Sequence, residues 1–534
     1  MNTPTNASPV IYNAHPRLLK NLEDFFKTIK HAIDLKCNSI YINPFQTPTE
    51  TSKEFNNEET LSRSIYAIKN HFEIAEYLLD NGSQEETINA LKDVLEEAKK
   101  IGIQHIFADL VFNHVAIDHP LVEKETSEIQ DIKDKYGVSD YLYENDELVG
   151  FKYNKNKKEE IFYFKFKRNH DLSIKIGGPA EDPWKDVAEI NYSSPEGYKF
   201  FVTGDTDNPE TKGYWKQVID WHIGLGFNAF RCDVAFKVPP KAWVELISYA
   251  HKEYKNENPQ AKDKVLFLAE TLGGSEAQQG INDMVNINIT ENGKKRKGFD
   301  YTYLCHYWWD LTSDWLSNFE VNRANNISKL GGVGHAENHD TKMVFGDCLK
   351  PFNGDVEKAA KVWLRDYTVA TLISSASMMQ MGNEYGKISP NGVFQEQCSH
   401  EDMEELRKSP NVNLEKEIAQ INKIKAELGV GNCRAEFNKC SFVQDKLIEM
   451  DIKFTDVDTN EVTATVNLLV NQKPECGAIR VHNQGLLDKY GDKLKTAEIS
   501  SVFAKVSKVI SPEKEDVKTY NISLQEKEKL ALVA

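Results

Sequence analysis

The chain has 534 residues, more than one ordinary domain needs, so a large domain with at least one accessory unit is expected. Hydrophobic residues make up 40% and charged residues 28%, the balance of a globular protein able to bury a sizeable core. The formal net charge of -17 argues against non-specific nucleic-acid binding and suits a neutral ligand without pointing to one.

Short apolar, β-prone segments alternate with long amphipathic stretches. In chain order they are Val10–Asn13, Ser39–Pro44, His105–Val111, Ala229–Asp233, Val265–Glu270, Gly298–Tyr301, Gly332–Asn338 and Ser377–Met381. Eight such strands, each followed by room for a helix, fit a parallel (β/α)₈ TIM barrel of the α/β class. Glu86–Lys100 shows the expected helical pattern, apolar on one face and charged on the other. The interval after the third strand is far too long for one helix. It carries a hairpin pattern, Phe151–Tyr153 and Ile161–Phe166 around a polar turn, which reads as an inserted subdomain over residues 115–194. The barrel then comprises residues 1–114 and 195–430. Segments such as Val462–Val470 and Ile479–Val481 make residues 431–534 an all-β domain, expected as a sandwich.

No stretch is apolar enough to span a membrane, and MNTPTNASPVIYNAHP lacks the basic start and apolar run of a secretory signal. Eight scattered cysteines without CxxC pairs fit reduced thiols. A cytoplasmic protein is the resulting expectation; oligomeric state is left open. No zinc spacing, dinucleotide fingerprint or serine nucleophile elbow is present, and Gly331–Gly334 reads as a loop before a strand. The basic stretch Lys152–Arg168 reads as a solvated hairpin face. Trp308, Trp309 and Trp315 fall on a helical pattern and read first as helix packing, second as sugar platforms.

The strand ends are unusually polar. Strand three ends in Asp109-Leu-Val-Phe-Asn113-His114, strand four in Arg231-Cys-Asp233, strand five in Glu270 and strand seven in Glu337-Asn-His339-Asp340. An unpaired buried carboxylate is costly, so four strand ends breaking that rule together point to one shared site. Glycoside cleavage needs such a set: one carboxyl that keeps its proton and one that stays ionised. Arg231 and Asp233 are two apart and share one side of a strand, where the guanidinium favours the carboxylate. Glu270 needs a raised pKa, which neighbouring carboxylates can supply.

These segments resemble the α-amylase superfamily, glycoside hydrolase family 13. Asp109–His114 resembles its first signature, Phe230–Asp233 the second, Phe267–Glu270 the third and Glu337–Asp340 the fourth. Ala188–Asn191 resembles the motif near the end of the family's inserted domain, and Tyr66 resembles the tyrosine that stacks on the sugar at the cleavage point. Order and spacing agree over roughly residues 10 to 425.

The resemblance implies a retaining α-glycosidase acting on α-1,4-linked glucans or maltooligosaccharides. Asp233 is then the nucleophile, Glu270 the acid/base and Asp340 the stabiliser of the distorted sugar. Tyr66, His114, His339 and Lys237 bind substrate, Arg231 orients Asp233, and Asp109 supports the network. The family's Lys-His pair after the nucleophile is incomplete: Lys237 matches but Val238 follows, so no cofactor is required and the structural calcium that Asn113 would ligate is doubtful. A transferase of the same family, using a sugar or phosphate acceptor, is the alternative. A catalytically silent binding protein is the third reading, and the intact triad weighs against it.

Overall fold

The structure is a computed structural model. It describes residues 7–55, 58–61, 63–79, 82–178, 184–205, 211–260, 264–272, 275–291, 293–312, 321–327, 329–394, 397–511 and 514–524.

Eight parallel strands close into a barrel: β1 (Val10–Ala14), β2 (Ser39–Ile42), β3 (His105–Leu110), β4 (Ala229–Cys232), β5 (Leu266–Ala269), β6 (Tyr301–Cys305), β7 (Gly331–His335) and β8 (Ala376–Gln380). Each pairs with its neighbours in sequence, and β1 pairs with β8. Alternation along the strands divides their side chains between two cores. Ile11, Tyr41, Phe107, Ala229, Leu268, Tyr303 and Val333 fill the barrel interior. Tyr12, Ile40, Ile106, Phe230, Phe267 and Leu304 face the surrounding helices.

Those helices are α1 (Leu22–Asp34), α2 (Gln84–Lys100), α3 (Tyr214–Leu225), α4 (Pro240–Glu257), α5 (Ser275–Asn286), α6 (Val321–Ile327), α7 (Val356–Leu372) and α8 (Glu415–Leu428). Their ends are set locally. Asn21 caps α1, Ser83 and Glu86 form a capping box on α2, and α3 and α8 stop at left-handed Gly226 and Gly429.

Two readings shift. The sixth strand runs over Tyr301–Cys305 rather than Gly298–Tyr301, because the hairpin Asn288–Glu291/Lys294–Lys297 delivers the chain to the barrel three residues later. Gly331–Gly334 lies within β7 itself. There a Cβ on Gly334 would meet the Ala370 carbonyl of α7 at 2.0 Å, so glycine permits close helix–strand approach.

Between β3 and α3 the chain makes an excursion. Strand His114–Ala116 pairs with Val187–Glu189, a helix spans Pro120–Tyr136, and Asp140–Glu144, Glu147–Lys155 and Lys158–Tyr163 form an antiparallel sheet. The hairpin turns at Asn156 and Lys157, both with positive φ as a tight primed turn requires. The sheet and helix share a small core around Ile129, Phe151 and Phe164. The basic stretch is substantially paired: Lys152 with Glu159, Lys167 with Glu189 and Arg168 with Glu125.

The C-terminal region is a five-stranded antiparallel sheet of β9 (Cys433–Gln444), β10 (Leu447–Asp456), β11 (Val462–Asn471), β12 (Val502–Ser511) and β13 (Lys514–Ile522). One face, with Met450, Phe454 and Val466, joins the barrel core. The other is covered by a two-stranded sheet and two short helices through Tyr490, Leu494 and Phe503, so the sandwich is lopsided. Bonds from Tyr301 to Gly431 and Ser375 to Cys433 anchor it at the starts of β6 and β8, away from the strand ends that carry the acidic residues.

All eight cysteines are free. Among the described residues, no helix is long and apolar enough to cross a membrane.

Candidate active site

Alternation puts Tyr41, Phe107, Asp109, Arg231, Asp233, Leu268 and Glu270 in one inward-facing register, with the polar members at the strand ends. Arg231 sits at the centre, with 1% of its side chain exposed. Its Nη1 donates to both Asp109 oxygens at 2.9 and 3.0 Å and to Asp233 Oδ1 at 2.6 Å, and its Nη2 lies 3.9 Å from Glu270 Oε2. One cation therefore faces three carboxyl groups, and a fourth, Asp340, stands nearby.

Asp109 is the most enclosed of the four. Tyr41 and Tyr66 donate to its Oδ2 at 2.5 and 2.8 Å. Burial raises its pKa; Arg231 opposes the rise and Asp233 adds to it. Glu270 accepts two backbone N–H bonds, from Val234 at 2.7 Å and Leu272 at 2.6 Å. Burial nevertheless dominates. Against Arg231 and with help from Asp233 and Asp340, it pushes the Glu270 carboxyl up to about 8.

The backbone after Asp233 is strained. Val234 has φ 34° and ψ 50°, a left-handed conformation that a β-branched residue avoids. Such strain costs roughly 1–3 kcal/mol. Here it aims the Val234 N–H at Glu270 and ties strand end four to strand end five.

Asp340 keeps 40% of its side chain exposed, held by Asn338 Nδ2 at 3.2 Å and beside His339 Nε2 at 3.3 Å. Its pKa is raised by burial among surrounding atoms, with Arg231 and Asn338 acting the other way. His339 is neutral, since burial and Arg231 lower it to about 3. Its Nδ1 meets Asn43 Nδ2, a donor, at 3.1 Å, so Nε2 carries the hydrogen and points toward Asp340. The Tyr66 and His339 rings lie parallel, 5.0 Å between centroids, and the Arg231 guanidinium is 5.4 Å from the Tyr66 ring centre. A cavity of about 280 Å³ opens here, lined by His339, Asp340, Thr341 and Lys342 on one side and Pro390, Gly392, Val393 and Gln397 on the other.

His114 is buried and Lys237 partly exposed. His114 Nε2 lies 3.2 Å from the Tyr66 carbonyl and Nδ1 lies 3.4 Å from Asn113, so both ring nitrogens have protein partners. Lys237 places its ammonium 4.7 Å from the Trp184 ring centre and 3.8 Å from Glu189.

Residues that motif reading did not single out complete the network. Asn43 Nδ2, with two hydrogens to share, lies within hydrogen-bond distance of the Tyr41 and Tyr66 hydroxyls and His339 Nδ1, and Asn43 is oriented by Asn13. Its signal was available: it sits two residues after Tyr41 at the end of β2. Trp184 gave no signal, because it reaches the site from the excursion only in three dimensions. Trp308 is corrected: residues 307–312 form turns rather than a helix, and its indole is 54% exposed beside Tyr307. Trp315 lies outside the described residues.

The donors for calcium do not fit well. Asn113 turns its side-chain nitrogen toward His114 and its backbone carbonyl accepts from Ile190 N, while Glu189 on the adjoining strand is engaged by Lys167 and Lys237. Among the described residues, no three His, Cys, Asp or Glu side chains converge to hold a metal ion.

A search against protein families and a search of curated protein sequences each return no match. Solved structures do match over nearly the whole chain. An α-amylase from Lactobacillus plantarum is 15% identical with a TM-score of 0.55, covering 96% of this chain and 97% of that one. The fold is that of the α-amylases. An Anoxybacillus α-amylase gives 13% and 0.55, over 97% and 98% of the two chains. A cyclic α-maltosyl-(1→6)-maltose hydrolase from Arthrobacter globiformis gives 13% and 0.54, over 97% and 100%. The α-amylase fold here has its barrel strand ends occupied by the Arg231-centred cluster.

Proposed function

We propose that this protein is a retaining α-glycosidase of the α-amylase family acting on α-1,4-linked glucans or maltooligosaccharides. The observation that carries the reading is the meeting of Asp233 and Glu270 on Arg231, with Asp340 at the open side. In this reading Asp233, fixed by its 2.6 Å bond to Arg231, attacks the anomeric carbon. Glu270, whose pKa is raised to about 8, is protonated at neutral pH and gives its proton to the departing glycosidic oxygen as the C–O bond breaks. Its carboxylate then takes a proton from water, which attacks the same carbon and releases Asp233.

Asp340 and His339 bind ring hydroxyls, and Tyr66 gives the ring an aromatic floor. Asp109 keeps Arg231 in place, His114 holds the Tyr66 loop, and Lys237 is presented by Trp184 and Glu189. Among structural neighbours, the Arthrobacter hydrolase was determined with maltose and a Geobacillus thermoleovorans α-amylase with acarbose, in keeping with an oligosaccharide substrate.

Incubation with maltoheptaose tests the reading. New reducing ends are expected; redistribution of chain lengths without them would favour the transferase alternative, and no change would overturn the glycosidase reading. No step needs calcium, so a chelator should leave rate and Tm unchanged.

A further inference from the structure

We propose that Asn13 and Asn43 are positioning residues that fix which ring nitrogen of His339 carries hydrogen, so that Nε2–H is offered to a hydroxyl of the bound sugar. This rests on the glycosidase reading and deepens it at one substrate contact.

The relay starts at a backbone carbonyl, a group that only accepts. Asn13 Nδ2 donates to the Tyr41 carbonyl at 3.2 Å and to Asn43 Oδ1 at 2.8 Å, which uses both of its hydrogens. Turning the Asn13 amide over would set its oxygen against the Tyr41 carbonyl, so the observed orientation is the favoured one. Asn43 Oδ1 is thereby held toward Asn13, and Nδ2 is turned toward the site. Asn13 lies in β1 and Asn43 follows β2, and both are fully buried.

Asn43 Nδ2 lies 3.1 Å from the Tyr41 hydroxyl, 3.0 Å from the Tyr66 hydroxyl and 3.1 Å from His339 Nδ1. Both hydroxyls spend their own hydrogen on Asp109 Oδ2 and turn lone pairs to Asn43. The two oxygens stand 3.2 Å apart and can share one Asn43 hydrogen. The other is left for His339 Nδ1, which must be bare to accept it. The neutral ring then carries its hydrogen on Nε2, 3.3 Å from Asp340 Oδ2. Parallel stacking on Tyr66, with 13° between the planes, keeps the ring in the plane that makes both contacts.

This placement suits a sugar hydroxyl between His339 and Asp340, which accepts from Nε2–H while donating its own hydrogen to the carboxylate. With hydrogen on Nδ1 instead, Nε2 and Asp340 would both be acceptors, and a hydroxyl with one hydrogen could satisfy only one of them. The charged and titratable groups acting on the ring are Arg231, Asp109, Asp340 and Tyr66, with His15 and His335 nearby. Burial and Arg231 keep the ring neutral, so near neutral pH only its tautomer is at issue.

Two measurements on the full-length protein test this. First, nitrogen-15 NMR of histidine-labelled protein reads the tautomer without substrate, with His339→Gln identifying the signal. The unaltered protein should show a neutral ring with hydrogen on Nε2. Asn43→Asp puts an oxygen against Nδ1 and should move hydrogen there. Asn13→Asp can no longer donate, so Asn43 turns over, brings its own oxygen to Nδ1 and should do the same. Hydrogen on Nδ1 in the unaltered protein, or an unchanged tautomer in either variant, overturns the proposal. The unaltered protein alone decides even where a variant fails to fold.

Second, kcat/KM of Asn43→Asp, normalised to folded protein, should fall by about tenfold or more near pH 7. The deficit should shrink to about threefold or less near pH 5, where protonating either the ring or the introduced carboxyl returns hydrogen to Nε2. A deficit equal at both pH values overturns the proposal. The expected tautomers without turnover of any glucan by the unaltered enzyme support the hydrogen placement while refuting the glycosidase reading; turnover with hydrogen on Nδ1 refutes the placement alone.

Discussion

Two buried arginines solve opposite problems. In the excursion after β3, Arg168 meets a single carboxylate, Glu125, at 3.2 Å, with 1% of each side chain exposed. Glu125 also accepts backbone N–H bonds from Lys165 and Phe166, and Arg168 also bonds Thr126 and the Leu172 carbonyl. Charge is matched one to one and the polar atoms are largely satisfied, as a structural pair requires. At the strand ends, Arg231 is equally buried but faces Asp109, Asp233 and Glu270 together. One positive charge cannot keep three carboxyls ionised in a low-dielectric setting, so a proton is retained, and it falls on Glu270. The same residue type thus holds a fold together in one place and holds apart the protonation states of two acids in the other.

The sharpest break of this comparison is removal of the acids. Asp233→Asn or Glu270→Gln should lower kcat by about 10³-fold or more. Tm at neutral pH should stay intact for Glu270→Gln, which replaces a protonated carboxyl by its neutral amide, and stay intact or rise for Asp233→Asn, which relieves the excess of negative charge around Arg231. Steady-state rates with thermal unfolding on the same samples check it. Glu125→Ala should behave inversely, costing about 3–5 kcal/mol of stability by stranding Arg168 while kcat of the folded fraction stays near normal. Chemical denaturation and active-site-normalised rates separate the two.

The retained proton gives the next prediction. The first step needs Glu270 protonated, so kcat should fall about tenfold per pH unit above about 8. The stability sign is fixed by the same shift. A carboxyl raised from its ordinary value to about 8 contributes most below that ordinary value and loses its contribution as pH rises to 8. Glu270→Gln should therefore raise Tm more at pH 9 than at pH 5. The smallest effect is expected for Tyr66→Phe, which removes the 2.8 Å bond to Asp109 but keeps the ring. Loss of about 1–2 kcal/mol is expected, read as a several-fold drop in kcat/KM.

The barrel was legible because its strands are short apolar runs separated by amphipathic helical stretches, and their ends carry charge where a core strand should not. Strand six is displaced because the polar hairpin Asn288–Glu291/Lys294–Lys297, which carries no apolar strand pattern, delivers the chain to the barrel three residues later than Gly298–Tyr301 suggests. Asp109, Arg231, Asp233, Glu270 and Asp340 stood out as violations of burial rules. What stayed hidden depends on tertiary geometry: the left-handed Val234 and the approach of Trp184 to His114. Trp308 was misplaced because two adjacent indoles look like packing until the chain is seen to turn there.

The central claim is that Asp233 forms a covalent bond to sugar while Glu270 manages the proton. Trapping with a fluorinated glucosyl fluoride, followed by peptide mass analysis, tests it most directly. The account predicts a glycosyl adduct on the peptide containing Asp233, absent in Asp233→Asn. An adduct on another residue, or turnover with no adduct on Asp233, would contradict it.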